Sequence, residues 1–312
     1  MDRICKLLGR TRQGYYQREK YEYKEHVKTS ILHEMVHEVR QDQPRIGGRK
    51  LLSMIGPKLT GTMSIGRDAF FSILRNEGLL IRKTKRNVIT TNSKHWLRKY
   101  ANLIREFTPD APHQLWVSDI TYIETQDNGF VYLFLITDAY SRKIIGWHLS
   151  ETMEADNALK ALHMALSTLP ANVNDLIHHS DRGVQYCCHK YVARLKLSGI
   201  KISMTENGDP LENAIAERVN GILKTEWLYH KVLKNKEDTL SEIKHIVHIY
   251  NEKRPHSSLD MLTPEEAHQK SGELKKHWKN YNLIKYEKFL AEKAEEVENN
   301  NFVKPEKVME KH

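Results

Sequence analysis

Residues 211–226, LENAIAERVNGILKTE, show two opposite faces when they are placed on a helical wheel. One face is apolar with the three- and four-residue spacing of a helix packed on a core, and consists of Ile215, Val219, Ile222 and Leu223. The other face combines a carboxylate, two amides and a cation, which are Glu217, Asn213, Asn220 and Lys224. These polar groups suit a site for a metal ion and a phosphate, although a surface helix with a solvated polar face shows the same pattern.

A sheet is predicted upstream of this helix. Three segments rich in β-branched and aromatic residues follow one another as a meander, and two short apolar segments then alternate with helices. The predicted strands are 114–124, 130–137, 143–149, 176–179 and 200–203, and the predicted helices are 154–168 and 189–197. We therefore expect an α/β domain whose mixed five-stranded sheet is flanked by helices on both faces.

Three acids occupy positions that raise a question about function. Asp119 lies inside the first, largely apolar strand, where an ionised carboxylate is costly unless it is paired or bound to metal. Asp181 follows the fourth strand, and 35 residues separate it from Glu217. Taken singly, each has a structural explanation: a salt bridge, a turn or cap, and a solvated helix face. A fourth acid, Asp138, precedes a turn at 139–142, which favours a turn role for it.

The combined pattern resembles a known family. The phrases WVSDITYI, FLITDAYSRKIIGW, HHSDRGVQY, NAIAERVNGILKTE and YNEKRPHSSLDMLTPEE, with GRTRQGYY and QPRIGGRKL upstream, are similar to the OrfB transposases of the insertion-sequence-three family. The resemblance covers roughly residues 5–269. It implies a ribonuclease-H-like core of the retroviral integrase superfamily with an Asp-Asp-Glu triad, made here of Asp119, Asp181 and Glu217.

The resemblance also implies an activity. We expect a metal-dependent DNA transposase that cleaves mobile-element ends and transfers the freed 3′-OH to another strand. Three hard carboxylate ligands suit Mg²⁺ or Mn²⁺, and two such ions can flank a phosphodiester, with Asp119 as the bridging ligand. On the polar helix face, Lys224 is expected to contact a DNA phosphate, and Asn213 and Asn220 to help position the DNA.

Several partners follow from the same resemblance. Double-stranded DNA is expected both as mobile-element ends and as target, and a homo-multimer is expected because two ends must be held together. Members of the family usually act with a separate upstream-frame helix-turn-helix product. One phrase departs from the family, because Glu206 and Asp209 make the loop before the catalytic helix more acidic than the usual basic-Gly-Asn-Pro sequence.

Positive charge is concentrated in the first third of the chain. Residues 1–107 contain 23 Lys and Arg against 10 Asp and Glu, whereas residues 108–312 contain 26 against 30. This asymmetry is typical of a nucleic-acid-binding region joined to another domain, although a merely soluble basic domain would show it too. Three predicted helices, 31–40, 49–55 and 65–78, are compatible with a small all-α helix-turn-helix-like domain, whose expected DNA contacts are Arg49, Lys50 and Arg67.

We divide the sequence into four parts: a basic helical region at 1–80, a basic linker at 81–107, the catalytic core at 108–269, and a charged helical or disordered tail at 270–312. There is no apolar run long enough to span a membrane and no signal peptide pattern. The three cysteines, Cys5, Cys187 and Cys188, do not form a disulfide framework. These features predict a cytoplasmic bacterial protein that associates with the nucleoid when it binds DNA.

Other functions stay open on the residues alone. His33 and His37 form an H-E-x-x-H pattern on a predicted helix, as in zinc proteases, but no acidic third ligand follows at short range. A DNA-binding regulator with an idle ribonuclease-H-like domain would not need three intact carboxylates. A ribonuclease H that cuts RNA–DNA hybrids would use the same metals, but the basic N-terminal region fits the binding of DNA ends better.

Overall fold

A five-stranded mixed sheet forms the centre of the computed structural model, which describes residues 5, 7, 9, 11–59, 61–81, 96–127, 129–206 and 213–277. The strands are β1 Leu115–Thr125, β2 Gly129–Asp138, β3 Ile144–Ser150, β4 Ile177–Ser180 and β5 Lys201–Met204. Their order across the sheet is β3-β2-β1-β4-β5. β1, β2 and β3 form an antiparallel meander, and β4 and β5 add to β1 in parallel. The predicted mixed sheet is confirmed.

The register of the sheet brings two of the three acids to the same level. β4 pairs with β1 only as far as Ser118 and Ser180, which are opposite one another. Asp119 is the next residue on β1 and pairs with Leu135 of β2 on its other side. Asp181 is the next residue after β4. The two carboxylates therefore come from adjacent strands at the point where β4 ends and β1 continues.

Nine helices accompany the sheet in the part of the chain that the structure describes. Three of these α-helices precede the sheet in the chain, and the other six lie between its strands or follow them. They are α1 Arg12–Asp42, α2 Gly48–Ile55, α3 Arg67–Asn76, α4 Ala155–Ser167, α5 Val184–Cys187, α6 His189–Leu197, α7 Ala214–Glu226, α8 Lys236–Glu252 and α9 Pro264–His268. None of the helices in the described ranges is long and apolar enough to cross a membrane.

Two apolar cores cover the two faces of the sheet. One core packs α4, α5 and α6 against Trp116, Ile120 and Phe134. The other packs α7 and α8 against Ile123 and Leu133 and neighbouring sheet residues. α4 lies so close to β3 that a Cβ atom on Gly146 would be 2.3 Å from the carbonyl oxygen of Ala161. This packing fixes α7, which has one polar face and one apolar face, on the sheet beside β1.

The N-terminal region differs from the prediction in the length of its first helix. α1 has 31 residues and begins at a Thr11 cap, whereas the apolar spacing predicted only 31–40. Only Leu32 and Val36 of α1 are buried, because its first half extends past the small apolar cluster that α2 and α3 complete. The third helix also begins later than expected, at Arg67 with Gly66 as its cap rather than Ser64.

Polar contacts join the N-terminal helices to the sheet domain. The indole nitrogen of Trp227, which follows α7, donates to the carbonyl oxygen of Asp42 at 2.8 Å. The ammonium of Lys253 lies 2.6 Å from the carboxylate of the same Asp42. The end of α1 is therefore held against the ends of α7 and α8.

Three segments on which predictions were made lie outside the described residues: most of the 81–107 linker (82–95), the loop at 207–212 with Asp209, and the tail from 278 on.

Candidate active site

Asp119 is the central side chain of the candidate site. Its carboxylate accepts a hydrogen bond from Nδ2 of Asn220 at 2.7 Å and another from the backbone N–H of Ile120 at 2.8 Å. Burial, reinforced by the nearby charge of Asp181, raises the pKa of Asp119 to about 7 despite these two hydrogen bonds. The charge of Glu217 acts in the same direction. This carboxylate is therefore close to half-protonated at neutral pH.

Asp181 and Glu217 complete the group from two further elements. Asp181 follows β4 and accepts a hydrogen bond from the backbone N–H of Gly183 at 3.0 Å. Glu217 lies in the first turn of α7, and burial followed by the charge of Asp181 raises its pKa. The structure thus brings together the three acids that the sequence singled out, close enough for their charges to act on one another.

The donor set fits a hard divalent cation. All three groups offer carboxylate oxygens, and the pKa values of Asp119 and Glu217 are raised by burial and then by the charge of Asp181, both of which an added cation would counteract. In the described ranges, however, no three His, Cys, Asp or Glu side chains are close enough together to hold a metal ion as they stand.

Asn213 and Asn220 connect α7 to β1 within the protein. Both are buried, and Nδ2 of Asn213 donates to the carbonyl oxygen of Ser118 at 3.1 Å while that of Asn220 donates to Asp119. Their amide nitrogens hold α7 against β1, and direct DNA contact by either residue stays a prediction. The wheel could not reveal this, because it does not show that a strand lies along the polar face.

Lys224 remains available for a contact outside the protein. Its Nζ lies 4.2 Å from the centre of the Tyr122 ring, a cation–π contact that sets the direction of the ammonium group. Burial lowers the pKa of Lys224, and the charge of Asp119 partly offsets this. No carboxylate pairs with Lys224 within the residues that the structure describes. Its contact with a DNA phosphate stays a prediction.

The two histidines before Asp181 are structural. His178 is buried and its Nε2 is 2.7 Å from Oγ of Ser118 and 2.9 Å from the hydroxyl of Tyr191. Burial, followed by the charge of His179, lowers the pKa of His178 to about 3, so it is neutral. His179 is also buried, with Nδ1 2.8 Å from Oγ of Ser203. Both rings tie β4 to its neighbours.

Asp138 fills the turn role that was expected of it. One carboxylate oxygen accepts hydrogen bonds from the backbone N–H and the hydroxyl of Ser141, at 2.8 and 2.9 Å. The other accepts the N–H of His113 at 2.8 Å. Asp138 is fully buried with all of these donors in place, and it holds the β2–β3 connection. It is therefore a structural acid.

Of the three N-terminal basic residues expected to contact DNA, Lys50 is in an internal ion cluster. Its ammonium lies 3.3 Å from Glu226 at the end of α7, and Glu226 also binds the buried guanidinium of Arg254 at 2.7 and 2.8 Å. Burial lowers the pKa of Lys50 to about 8. The expected DNA contact of Lys50 stays a prediction. Arg49 and Arg67 are exposed, and Arg67 pairs with its neighbour Asp68.

The protease hypothesis has no support in the geometry. His33 and His37 both lie on the exposed side of α1, and no described acid completes a metal site with them.

Of the two acids in the loop before α7, Glu206 has partners within the protein. Glu206 accepts the backbone N–H of Asn102 at 3.1 Å and pairs with Arg105.

Comparisons with known proteins identify relatives over most of the chain. Residues 109–210 match the family described as Integrase core domain, and residues 198–264 match a second family of the same description. An uncharacterized 31 kDa protein of insertion element IS600 from Shigella sonnei is 35% identical over 274 residues, which cover 86% of this chain and 98% of that protein.

Two further proteins are similar to this chain. Transposase InsF for insertion sequence IS3A of Escherichia coli K12 is 35% identical over 202 residues, or 64% of this chain and 69% of InsF. Among solved structures, the HTLV-2 integrase catalytic core domain in complex with magnesium is 16% identical, with a TM-score of 0.41 over 52% of this chain and 100% of that domain.

Proposed function

Because this chain belongs to the insertion-sequence-three family of DDE-type DNA transposases with an integrase core domain, we propose that Asp119, Asp181 and Glu217 are its catalytic carboxylates. One observation carries the assignment: carboxylates from β1, from the residue that follows β4 and from α7 converge, and burial together with their charges raises the pKa of Asp119 to about 7. Perturbed carboxylates that share a site are typical of catalytic centres, because a structural role does not call for mutual repulsion.

The triad is proposed to hold two Mg²⁺ or Mn²⁺ ions, with Asp119 as the shared ligand and Asp181 and Glu217 each completing one site. Bound metal lowers the pKa of a water or 3′-hydroxyl nucleophile and stabilises the leaving 3′ oxygen. Asp119 must lose its proton to become a ligand, and its raised pKa sets that step near neutral pH. Metal binding at this residue therefore competes with protons.

The surrounding residues are proposed to position the carboxylates and the DNA. Asn220 donates to one oxygen of Asp119 and so orients the carboxylate, while Asn213 fixes the start of α7, and with it Glu217, to β1. Lys224 would contact a DNA phosphate as a point charge, two turns from Glu217 on the same helix. The nucleophile is a water or a DNA hydroxyl, so no side chain needs to form a covalent bond with DNA.

The reaction we propose is cleavage at the ends of a mobile element followed by transfer of the freed 3′-OH to target DNA. Bringing two ends together calls for a multimer of this chain on DNA, with an upstream-frame helix-turn-helix product as a further candidate partner. The basic region 1–107 would supply sequence-independent affinity for phosphates. We also propose that the protein associates with the nucleoid through this affinity.

A strand-transfer assay tests this function. Linear DNA carrying the element's own ends is incubated with a supercoiled plasmid in Mg²⁺ or in EDTA, and joined products are separated on a gel. The proposal predicts Mg²⁺-dependent joining of the 3′ end to the plasmid. An RNA–DNA hybrid tested in parallel should stay uncut. Cleavage of the hybrid without joining would instead assign a ribonuclease H, and binding without any chemistry would assign a regulator.

A further inference from the structure

A pocket of about 730 Å³ opens beside the triad, between the β1–β2 hairpin and the segment that follows α7. β1 contributes Tyr122 and Thr125, β2 contributes Phe130, and the segment after α7 contributes Tyr229 and Lys231. Its volume is in the range of sites that bind small molecules or single nucleotides. None of the three triad residues lines this pocket.

Both elements that carry the triad lead into this pocket. Tyr122 is three residues after Asp119 on β1, which is about 10 Å at the rise of a strand. Lys224 is seven residues after Glu217 on α7, again about 10 Å at the rise of a helix. That distance is about three base steps of B-form DNA. A DNA strand that has a phosphate at the triad and follows these two elements would reach the pocket two to four nucleotides away.

The walls of the pocket present aromatic faces to solvent. Tyr122 and Phe130 meet edge to face, with ring centres 5.4 Å apart and planes at 90°. Phe130 is 48% exposed and Tyr229 is 37% exposed, whereas most large aromatic side chains in folded proteins are largely buried. Exposed aromatic rings beside a cationic group are the recurrent means by which proteins stack unpaired bases.

Polar groups in the same walls match the rest of a nucleotide. The hydroxyl of Thr125 is buried and has no hydrogen-bond partner among the described residues, which is uncommon for a hydroxyl in a folded protein. Lys224 lies over the Tyr122 ring at the side of the pocket that faces the triad. The pocket thus combines rings for a base and an ammonium for a phosphate.

We propose that this pocket binds one unstacked nucleobase of the DNA substrate, two to four nucleotides from the scissile phosphate. The inference rests on the proposed function, since the position is counted from a phosphate at the triad. The base stacks on Phe130 and Tyr229, and Lys224 contacts its phosphate. Moving a base out of the helix is costly, and the cost is smallest where the base is already unpaired.

Photo-cross-linking tests the location of the base directly. End DNA carries 5-iodouracil at one position at a time, from one to six nucleotides on either side of the cleavage site, and is bound to the Asp119→Asn protein so that it is not cut. After irradiation, mass spectrometry identifies the attached peptide. The expected result is a cross-link to Phe130, Tyr229 or Tyr122 from one or two adjacent positions. Cross-links elsewhere, or none from a complex that forms, overturn the proposal.

Cleavage kinetics provide a second test. Phe130→Ala should slow the cutting of fully paired DNA by roughly 5- to 100-fold, the value of one base–aromatic stack. A mismatch at the cross-linked position should restore part of the rate, because that base is already unpaired. Leu197→Ala is the matched control: Leu197 is 78% exposed on α6 and lines no part of the pocket. Equal slowing on paired and mismatched DNA overturns the proposal.

The two proposals fail in different ways. If wild-type protein joins DNA normally but no base cross-links to the pocket, the base-binding inference fails and the transposase assignment stands. If the pocket cross-links to one base but the protein cuts no DNA in Mg²⁺, the triad assignment fails and the binding pocket stands.

Discussion

Replacing Asp119 by asparagine should stabilise the metal-free protein at pH 8. The pKa of Asp119 is raised from 3.8 to about 7, so its ionised form costs the folded state about 4 kcal/mol at pH values above 7. The cost is absent below pH 3.8 and grows as pH rises to about 7. Asparagine removes the charge but leaves the N–H of Ile120 or of Asn220 without its carboxylate acceptor, at about 1–3 kcal/mol. The net gain is therefore roughly 1–3 kcal/mol.

Urea unfolding in EDTA at pH 8 and at pH 4 measures this difference. At pH 4 the gain should vanish, because Asp119 is then protonated in the folded wild-type protein. The matched control is Asp138→Asn, which removes a buried carboxylate that accepts three hydrogen bonds and should destabilise the protein at pH 8. Equal or lower stability of Asp119→Asn at pH 8, or the same difference at both pH values, would refute the argument that burial and the neighbouring carboxylates make ionised Asp119 costly to the folded state.

Three further outcomes are expected. Arg254→Ala should cost about 3–5 kcal/mol in urea unfolding because it leaves Glu226 buried beside Lys50 alone, whereas Lys50→Met should cost little, and equal costs would contradict this. The depressed pKa of Glu226, about 2, should make wild-type stability fall between about pH 4.5 and 2, a loss that Glu226→Gln should not show. Gly146→Ala should lower the melting temperature, since the new Cβ would overlap the carbonyl of Ala161; an unchanged value would show that α4 can move away.

The core of the fold was accessible to sequence reasoning because its elements have strong local patterns. The continuous apolar run of β2 and the turn residues after it predicted a buried strand, and α7 was recognised by its apolar stripe. Asp119 was conspicuous because it interrupts an apolar strand. What the pattern could not supply was the convergence of the acids, which depends on β4 ending beside the middle of β1.

Other features had no local signal. The first half of α1 is mostly polar, and its tyrosines and valine are exposed and do not form an apolar stripe, so no helical period marks it in the sequence. The ion cluster of Lys50, Glu226 and Arg254 joins residues 176 and 28 positions apart, which no spacing rule connects. The pocket beside the triad was missed for a similar reason. Its rings come from two strands and from the segment after α7, and each looked like an ordinary core aromatic.

The most direct test of the central claim is strand cleavage at the element's own ends, comparing wild type with Glu217→Gln in Mg²⁺ and in EDTA. Glu252→Gln serves as the control, since Glu252 is an exposed carboxylate at the end of α8. If the triad is catalytic, wild type and Glu252→Gln nick the DNA only in Mg²⁺, and Glu217→Gln binds the ends but does not nick them. Nicking that survives in Glu217→Gln would show that a different carboxylate carries the reaction.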